Sequence, residues 1–283
     1  MRHISRLLKA VRVLGFSNGA VLYWFYIYHR LLRHKKWRCR EVTLSTLSRP
    51  VWLRPGVSDW IVLERIFLDR EYDPISAAHD AAMDRLCSRI QADGGTPLII
   101  DCGANVGLSA VWFAERFPTA VIVAVEPEPG NFHVLTHTAR NYPTIRPLQA
   151  AISSKPGRAT ISNTGDTPWA WTTNESADGE IVTTTIPQLA GADPSYVLLA
   201  VKVDIEGFET TLLSTNTEWA DHLPLLMFEM HDWMQPWSGS GHAFFATLAR
   251  VKRDYLTRGE NVFAYAHTLA DWPGEQTVIG NSG

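Results

Sequence analysis

Cysteine is scarce. Cys39, Cys87 and Cys102 are the only three in 283 residues, and no C-x-x-C occurs. An odd number at that spacing excludes a disulfide framework and a cysteine-built zinc cluster, and a reducing compartment is the simplest expectation. Acidic residues are absent from positions 1–40, which hold ten basic ones: Arg2, Arg6, Lys9, Arg12, Arg30, Arg33, Lys35, Lys36, Arg38 and Arg40. The other 243 residues hold 16 basic against 29 acidic side chains, so the overall charge of −3 hides a basic arm on a body of net −13. Long apolar runs are also missing. Val13–Tyr28 is 16 residues interrupted by Ser17 and Asn18. As a helix it would reach about 24 Å, short of a hydrocarbon core of roughly 30 Å. No A-x-A-like cleavage site follows it, which argues against a signal peptide. There is no internal repeat and no low-complexity tract, and an apolar fraction of 46% is ordinary for a globular chain.

The arm itself has a pattern. Ile4, Leu7, Leu8, Val11 and Leu14 recur at helical spacing, while Arg2, Arg6, Lys9 and Arg12 fall largely outside that stripe. The Tyr- and Trp-rich run Gly19–Tyr28 that follows has the composition of a membrane interface rather than a bilayer centre. Two readings stay open. Residues 1–40 form a helical arm that touches the inner face of a membrane from the cytoplasm, or a helical hairpin packed on the domain. An acidic partner suits the charge; nucleic acid is not expected. Residues 41–283 then form the main domain.

Within that domain, Val42–Leu53 reads as short strands, and Ser58 as an N-cap before a helix over Trp60–Phe67. A second helix covers Ser76–Ala92. Pro97–Asp101 and Ala120–Val125 are short apolar runs, as expected of buried parallel strands. Helices over Gly107–Phe117 and Pro129–Asn141 alternate with them. Further strands are expected at Arg146–Ile152, Tyr196–Asp204, Leu225–Met230, Asn261–Ala266 and Thr277–Ile279. A helix starts at Phe208, and another covers Gly241–Arg258. Ala159–Ile186, rich in Thr, Ser, Gly and Asp, reads as a β-hairpin insertion. Strands alternating with helices imply an α/β fold with a parallel, doubly wound sheet.

Three segments carry chemistry. D-C-G-A-N-V-G, Asp101–Gly107, falls at a strand-to-helix turn, where glycines let backbone approach a ligand. Glu126 ends the next strand, where a carboxylate can accept hydrogen bonds from a ribose diol. Position 105 is Asn where G-x-G-x-x-G wants its second glycine, and the charge of Asp101 opposes a pyrophosphate. A cationic ligand without phosphate, such as S-adenosylmethionine, fits this turn better than NAD. K-V-D-I-E-G-F-E, Lys202–Glu209, puts Lys202, Asp204 and Glu206 on one side of an extended segment. Charged groups ending a buried strand need partners or a ligand, and a plain ion pair of Lys202 with Asp204 or Glu206 is the simpler account of that lysine. F-E-M-H-D-W, Phe228–Trp233, puts Glu229 and His231 on one strand side. Trp169, Trp171, Trp233 and Trp237 either stack on an acceptor or pack the insertion onto the domain.

These segments, with R-P-G-V-S-D (Arg54–Asp59), I-F-L-D-R-E-Y-D (Ile66–Asp73), V-E-P-E-P (Val125–Pro129) and A-A-I-S (Ala150–Ser153), resemble the FkbM-type methyltransferases from about Arg49 to His231. Val57 stands where the family's Thr is usual. The resemblance implies a Rossmann-like class I fold, with a mostly parallel seven-stranded sheet and helices on both faces. It also implies S-adenosylmethionine as methyl donor and O-methylation of a saccharide, glycolipid or secondary-metabolite hydroxyl. The cofactor residues expected are Asp101, Gly103, Ala104, Asn105, Gly107, Glu126, Pro127, Ala151, Ile152 and Asp204. For the chemistry, His231 is expected as the base, because it alone among the strand-end groups titrates near neutral pH. Glu229 would hold its imidazole, and Asp204 would orient the acceptor or help bind a divalent cation, although no metal motif is present. The competing functions are an NAD-dependent oxidoreductase and an inactive methyltransferase-fold scaffold at a membrane.

Overall fold

Buried strands alternate their side chains between two apolar layers, and the sheet is built on that period. The computed structural model describes residues 11, 39–55, 58–163, 171–233 and 236–269. Residues 1–10 and 12–38 of the basic arm, Val57, Trp169 and the strand expected at Thr277–Ile279 lie outside the described residues. Two short strands, β1 (Arg40–Val42) and β2 (Val51–Leu53), pair antiparallel. Helix α1 (Asp59–Leu63) follows and continues as a π-helical turn over Glu64–Leu68. Ser58 takes the N-cap position but makes no side-chain cap bond. Helix α2 (Ala77–Ala92) leads into β3 (Thr96–Cys102), α3 (Leu108–Arg116), β4 (Val121–Val125), α4 (Pro129–Asn141) and β5 (Ile145–Leu148).

Next come β6 (Ala151–Ile152), β7 (Gly157–Asn163), β8 (Trp171–Glu175), β9 (Ile181–Thr184) and α5 (Ile186–Ala190). The chain then forms β10 (Tyr196–Val203), α6 (Glu209–Leu212), β11 (Leu225–Glu229), α7 (Ser240–Leu248), β12 (Arg253–Arg258) and β13 (Asn261–Ala266).

Seven strands make the main sheet in the order β12-β13-β11-β10-β3-β4-β5. Pairings from β11 through β5 are parallel, while β13 runs antiparallel to both β11 and β12. This is the expected α/β architecture. Leu98, Ile100, Val123, Val125, Val201, Val203, Leu226 and Phe228 pack on one face, with α5, α6 and α7. Ile99, Ile122, Ala124, Ala200, Leu225 and Met227 pack on the other, with α2, α3 and α4. Helices therefore cover both faces. The chain order reverses between β3 and β10, and ligands bind outside the carboxyl ends of strands at such a switch point.

Three expectations need correction. Arg146–Ile152 is two strands in different sheets, because β5 is an edge strand that accommodates Pro147 and the chain leaves it at Gln149. The insertion is more than a hairpin: β6, β9, β7 and β8 form a four-stranded sheet in that order, and its first strand comes from the segment assigned to the core. The helix expected to Arg258 stops at Leu248. Phe244, Leu248, Val251 and Tyr255 are at helical spacing, but Arg253–Arg258 pairs with β13 across a two-residue turn at Gly259-Glu260. Gly259 takes a φ of +60° there, and the apolar β13 beside it decides the outcome.

Candidate active site

The site grows from the carboxyl ends of β3, β4, β10 and β11. At the first of these the chain turns sharply: Gly103 has φ +78°, and a Cβ on it would lie 1.8 Å from the carbonyl oxygen of Asp204. Only glycine permits that approach, which brings the β3 turn against the end of β10. Asn105 follows at φ +50°, and its backbone N–H donates to Glu126 Oε2 at 2.8 Å. Glu126 also accepts from the Glu128 N–H at 3.0 Å and from Asn131 Nδ2 at 3.3 Å. Burial pushes its carboxyl up to about 7, against the pull of those donors.

Asn131 is itself held by Arg54, whose Nη2 donates to its Oδ1 at 2.7 Å. Arg54 also forms a two-point ion pair with the buried Asp59, at 3.1 and 2.9 Å. The outer residues of R-P-G-V-S-D thus aim the side chain of Asn131, 77 residues on from Arg54, at Glu126.

The other side is built from side-chain charges. Lys202 is 2% exposed, with Nζ 3.2 Å from Asp101 Oδ1 and 3.4 Å from Asp204 Oδ2. Burial opposes its charge, yet Asp101 and its neighbours outweigh that and raise its pKa further. Ser109 Oγ donates to the other oxygen of Asp101 at 2.5 Å. Burial pushes the Asp204 carboxyl up, but Lys202 and His231 hold it below the usual range. His231 is 2% exposed, and its Nδ1 is 2.8 Å from Glu209 Oε1. Its Nε2 is 3.6 Å from Asp204 Oδ1. Burial works against its charge, but the Glu209 bond and the Asp204 charge lift it to about 9. Burial and the Asp204 charge push Glu206 up to about 7 and Glu229 to about 9. Arg65 Nη2 gathers Glu71 at 2.8 Å, Glu260 at 2.9 Å and Glu229 at 3.4 Å.

Two cavities meet here. The first is lined by Val125, Glu126, Pro127, Asn131, Ala151, Ile152 and Phe208, among others. The second is lined by Arg65, Glu71, Tyr72, Ala104, Lys202 and Glu229, among others. Gly103, Asn105, Asp204 and Glu206 line both. Of the residues expected at the cofactor, Asp101 and Gly107 line neither cavity: Asp101 is fully buried against Lys202 and Ser109, and Gly107 starts α3 against Leu135. Ala104 lines the second cavity alone. His231 lines neither cavity; it stands beside Asp204, and Glu209 rather than Glu229 holds its ring. Asn131, Arg54, Arg65 and Glu209 were not singled out from sequence. Glu209 lies inside K-V-D-I-E-G-F-E, but its pairing with His231 is visible only once β10 and β11 are adjacent.

A model described as the methyltransferase FkbM domain matches residues 101–255. The chain belongs to the FkbM methyltransferase family. The match runs from Asp101 into β12 and takes in the lining of the first cavity, while Arg65, Glu71 and Tyr72 of the second lie before it. No curated protein matches the chain. Three solved structures are similar to this FkbM methyltransferase. A fibrillarin/Nop5p complex shares 14% identity, over 65% of this chain and 81% of that one, at a TM-score of 0.37. Fibrillarin from Aeropyrum pernix with natively bound S-adenosyl-L-methionine shares 12%, over 61% and 66%, at 0.37. Monomeric WbdD shares 12%, over 69% and 42%, at 0.38, so the FkbM chain spans less than half of that protein.

Proposed function

We propose that this methyltransferase uses S-adenosylmethionine and transfers its methyl group to the hydroxyl of a saccharide or glycolipid. The observation behind this reading is the pair of cavities that share only Gly103, Asn105, Asp204 and Glu206. One holds a carboxylate fixed by backbone donors and flanked by apolar walls, which fits a ribosyl adenine. The other sets the charged groups of Arg65, Glu71, Lys202 and Glu229 opposite the apolar Ile61, Val62 and Ile66, a mixed lining that fits a hydroxylated ring with apolar faces. Trp233 and Trp237 follow β11 and are 64% and 101% exposed, offering flat apolar faces of the kind that stack on sugar rings.

In this reading Glu126 accepts the ribose hydroxyls, and Val125, Ala151, Ile152 and Phe208 enclose the adenine. When bound, S-adenosylmethionine supplies a methyl group on a sulfonium, the leaving group of an in-line displacement. The chain's part is to align the acceptor oxygen and receive its proton. Asp204 and Glu206 are the carboxylates that face both cavities, so they meet the hydroxyl where the methyl must cross. His231 acts through Asp204 as a positioning residue. Arg65, with Glu71 and Glu229, forms the far wall, where alternating donors and acceptors suit a polyhydroxylated ring.

The test is transfer of labelled methyl from S-adenosylmethionine to glycans, glycolipids and small hydroxylated compounds, with S-adenosylhomocysteine as the second product. Incorporation into a sugar hydroxyl is the expected result. Transfer only to nitrogen or carbon acceptors would overturn the acceptor class.

A further inference from the structure

We propose that Asp204, Glu206 and His231 hold a divalent metal ion. The inference rests on the reading above, because such an ion stands at the edge shared by both cavities, beside the acceptor hydroxyl.

The geometry supplies the donors. One carboxylate oxygen from Asp204, one from Glu206 and a ring nitrogen of His231 all lie within 4.8 Å of one another. Asp204 divides its oxygens, with Oδ2 toward Lys202 and Oδ1 toward His231 Nε2. The Oδ1–Nε2 distance of 3.6 Å is too long for a hydrogen bond and suits two ligands of one ion.

The second observation is how His231 is prepared. Its Nδ1 faces Glu209 Oε1 at 2.8 Å, and a carboxylate only accepts, so Nδ1 carries the hydrogen. Nε2 is then the nitrogen turned toward Asp204 and Glu206, on a side chain that is 2% exposed, and an ion there takes the place of the proton that Nε2 carries when the ring is charged. Among the described residues Nε2 makes no hydrogen bond. A metal-binding histidine almost always donates its other ring N–H to such a partner. Glu209 is fully buried and belongs to no other ion pair among the described residues; its Oε1 also accepts from the Gly207 N–H at 3.2 Å, which holds it in place behind the ring.

Charge points the same way. Asp101, Asp204, Glu206, Glu209 and Glu229 crowd one end of the sheet around Lys202 and Arg65 as permanent cations. Two carboxylates and one imidazole, with positions left for water or an acceptor oxygen, suit manganese better than magnesium, which favours all-oxygen shells. An ion there would lower the pKa of a bound hydroxyl.

The test titrates manganese chloride into the full chain with S-adenosylhomocysteine present, following the electron paramagnetic resonance signal of free Mn²⁺. One ion should bind per chain below about 1 mM. Glu206→Gln and His231→Gln should each weaken it by at least about tenfold, and Glu209→Gln by about 10–100-fold. Melting temperature and S-adenosylhomocysteine affinity, measured without metal, report whether each variant is folded. No manganese binding by a wild-type chain that binds S-adenosylhomocysteine would overturn the metal site and leave the methyl-transfer reading standing. Binding unchanged in folded Glu206→Gln and His231→Gln would also overturn it. Loss of S-adenosylhomocysteine binding by the wild-type chain would instead count against the methyl-transfer reading.

Discussion

Glu126 and Asp204 end neighbouring halves of one sheet, yet they are held in opposite ways. Glu126 is fixed by two backbone N–H groups and one amide, none of which is charged. Asp204 is fixed by Lys202 and His231 and stands among other carboxylates. A buried carboxylate with neutral donors keeps a fixed direction and has capacity left for neutral hydroxyls. A half-buried carboxylate among charges is part of a set whose balance changes when one member is removed. On the proposed function, the β4 end is the recognition surface and the β10–β11 end the reacting one.

Removing a charge from the second set should have the largest effect. Lys202→Met leaves the fully buried Asp101 without its cation and Asp204 with His231 alone, and should destabilise the fold by about 3–5 kcal/mol. Chemical denaturation measures it, and a loss below about 1 kcal/mol would mean that Lys202 is not what balances the pair.

The comparison also concerns the ligand. The β4 end should bind S-adenosylhomocysteine at least about a hundredfold more tightly than NAD, a gap of about 2.7 kcal/mol. Calorimetry showing NAD binding alone would reverse the assignment.

A smaller effect comes from the titration of Glu126. Its pKa in the folded chain is about 7, against an ordinary value of 4.5. A raised carboxyl favours the protonated fold, so this group's contribution to stability is present below 4.5 and is lost as pH rises through about 7. Ribose hydroxyls that donate to Glu126 favour the ionised form. Affinity for S-adenosylhomocysteine should therefore rise by up to about tenfold between roughly pH 6 and 8, and the rise should vanish in Glu126→Gln. An identical slope in that variant would assign the titration elsewhere.

A separate effect, outside the two ends of the sheet, belongs to the arm. If residues 1–40 lie on anionic lipid, each Lys or Arg near the surface contributes about 1 kcal/mol at low salt. Vesicle binding should then fall with added salt and vanish on deleting residues 1–30. Equal flotation of the full and shortened chains would contradict it. Among the described residues, no helix is long and apolar enough to cross a membrane.

The sheet was legible because period and burial agree along each core strand. Apolar runs such as Leu98–Ile100 and Val121–Val125 admit no exposed face, and turns rich in glycine or proline separate them from helices. Arg253–Arg258 was not legible, since its apolar spacing suits a helix and only pairing with β13 makes it a strand. The site was legible by position rather than by role. Gly103, Asn105, Glu126 and Asp204 meet because each ends a strand at the switch point or follows one. The part played by Asp101 was hidden, because its partner Lys202 lies on a strand about a hundred residues on, and parallel pairing of β3 with β10 brings them together. The Arg54–Asn131–Glu126 chain was hidden for the same reason: it crosses from a loop before α1 to the first turn of α4.

The most direct measurement compares Glu126→Gln with Glu229→Gln, which alters the second cavity alone, by calorimetric titration of S-adenosylhomocysteine. The account predicts that Glu126→Gln weakens binding by at least about tenfold, or roughly 1.4 kcal/mol, while Glu229→Gln stays within about threefold of wild type. Equal losses in the two variants, or a loss confined to Glu229→Gln, would contradict the division between a recognition end and a reacting end.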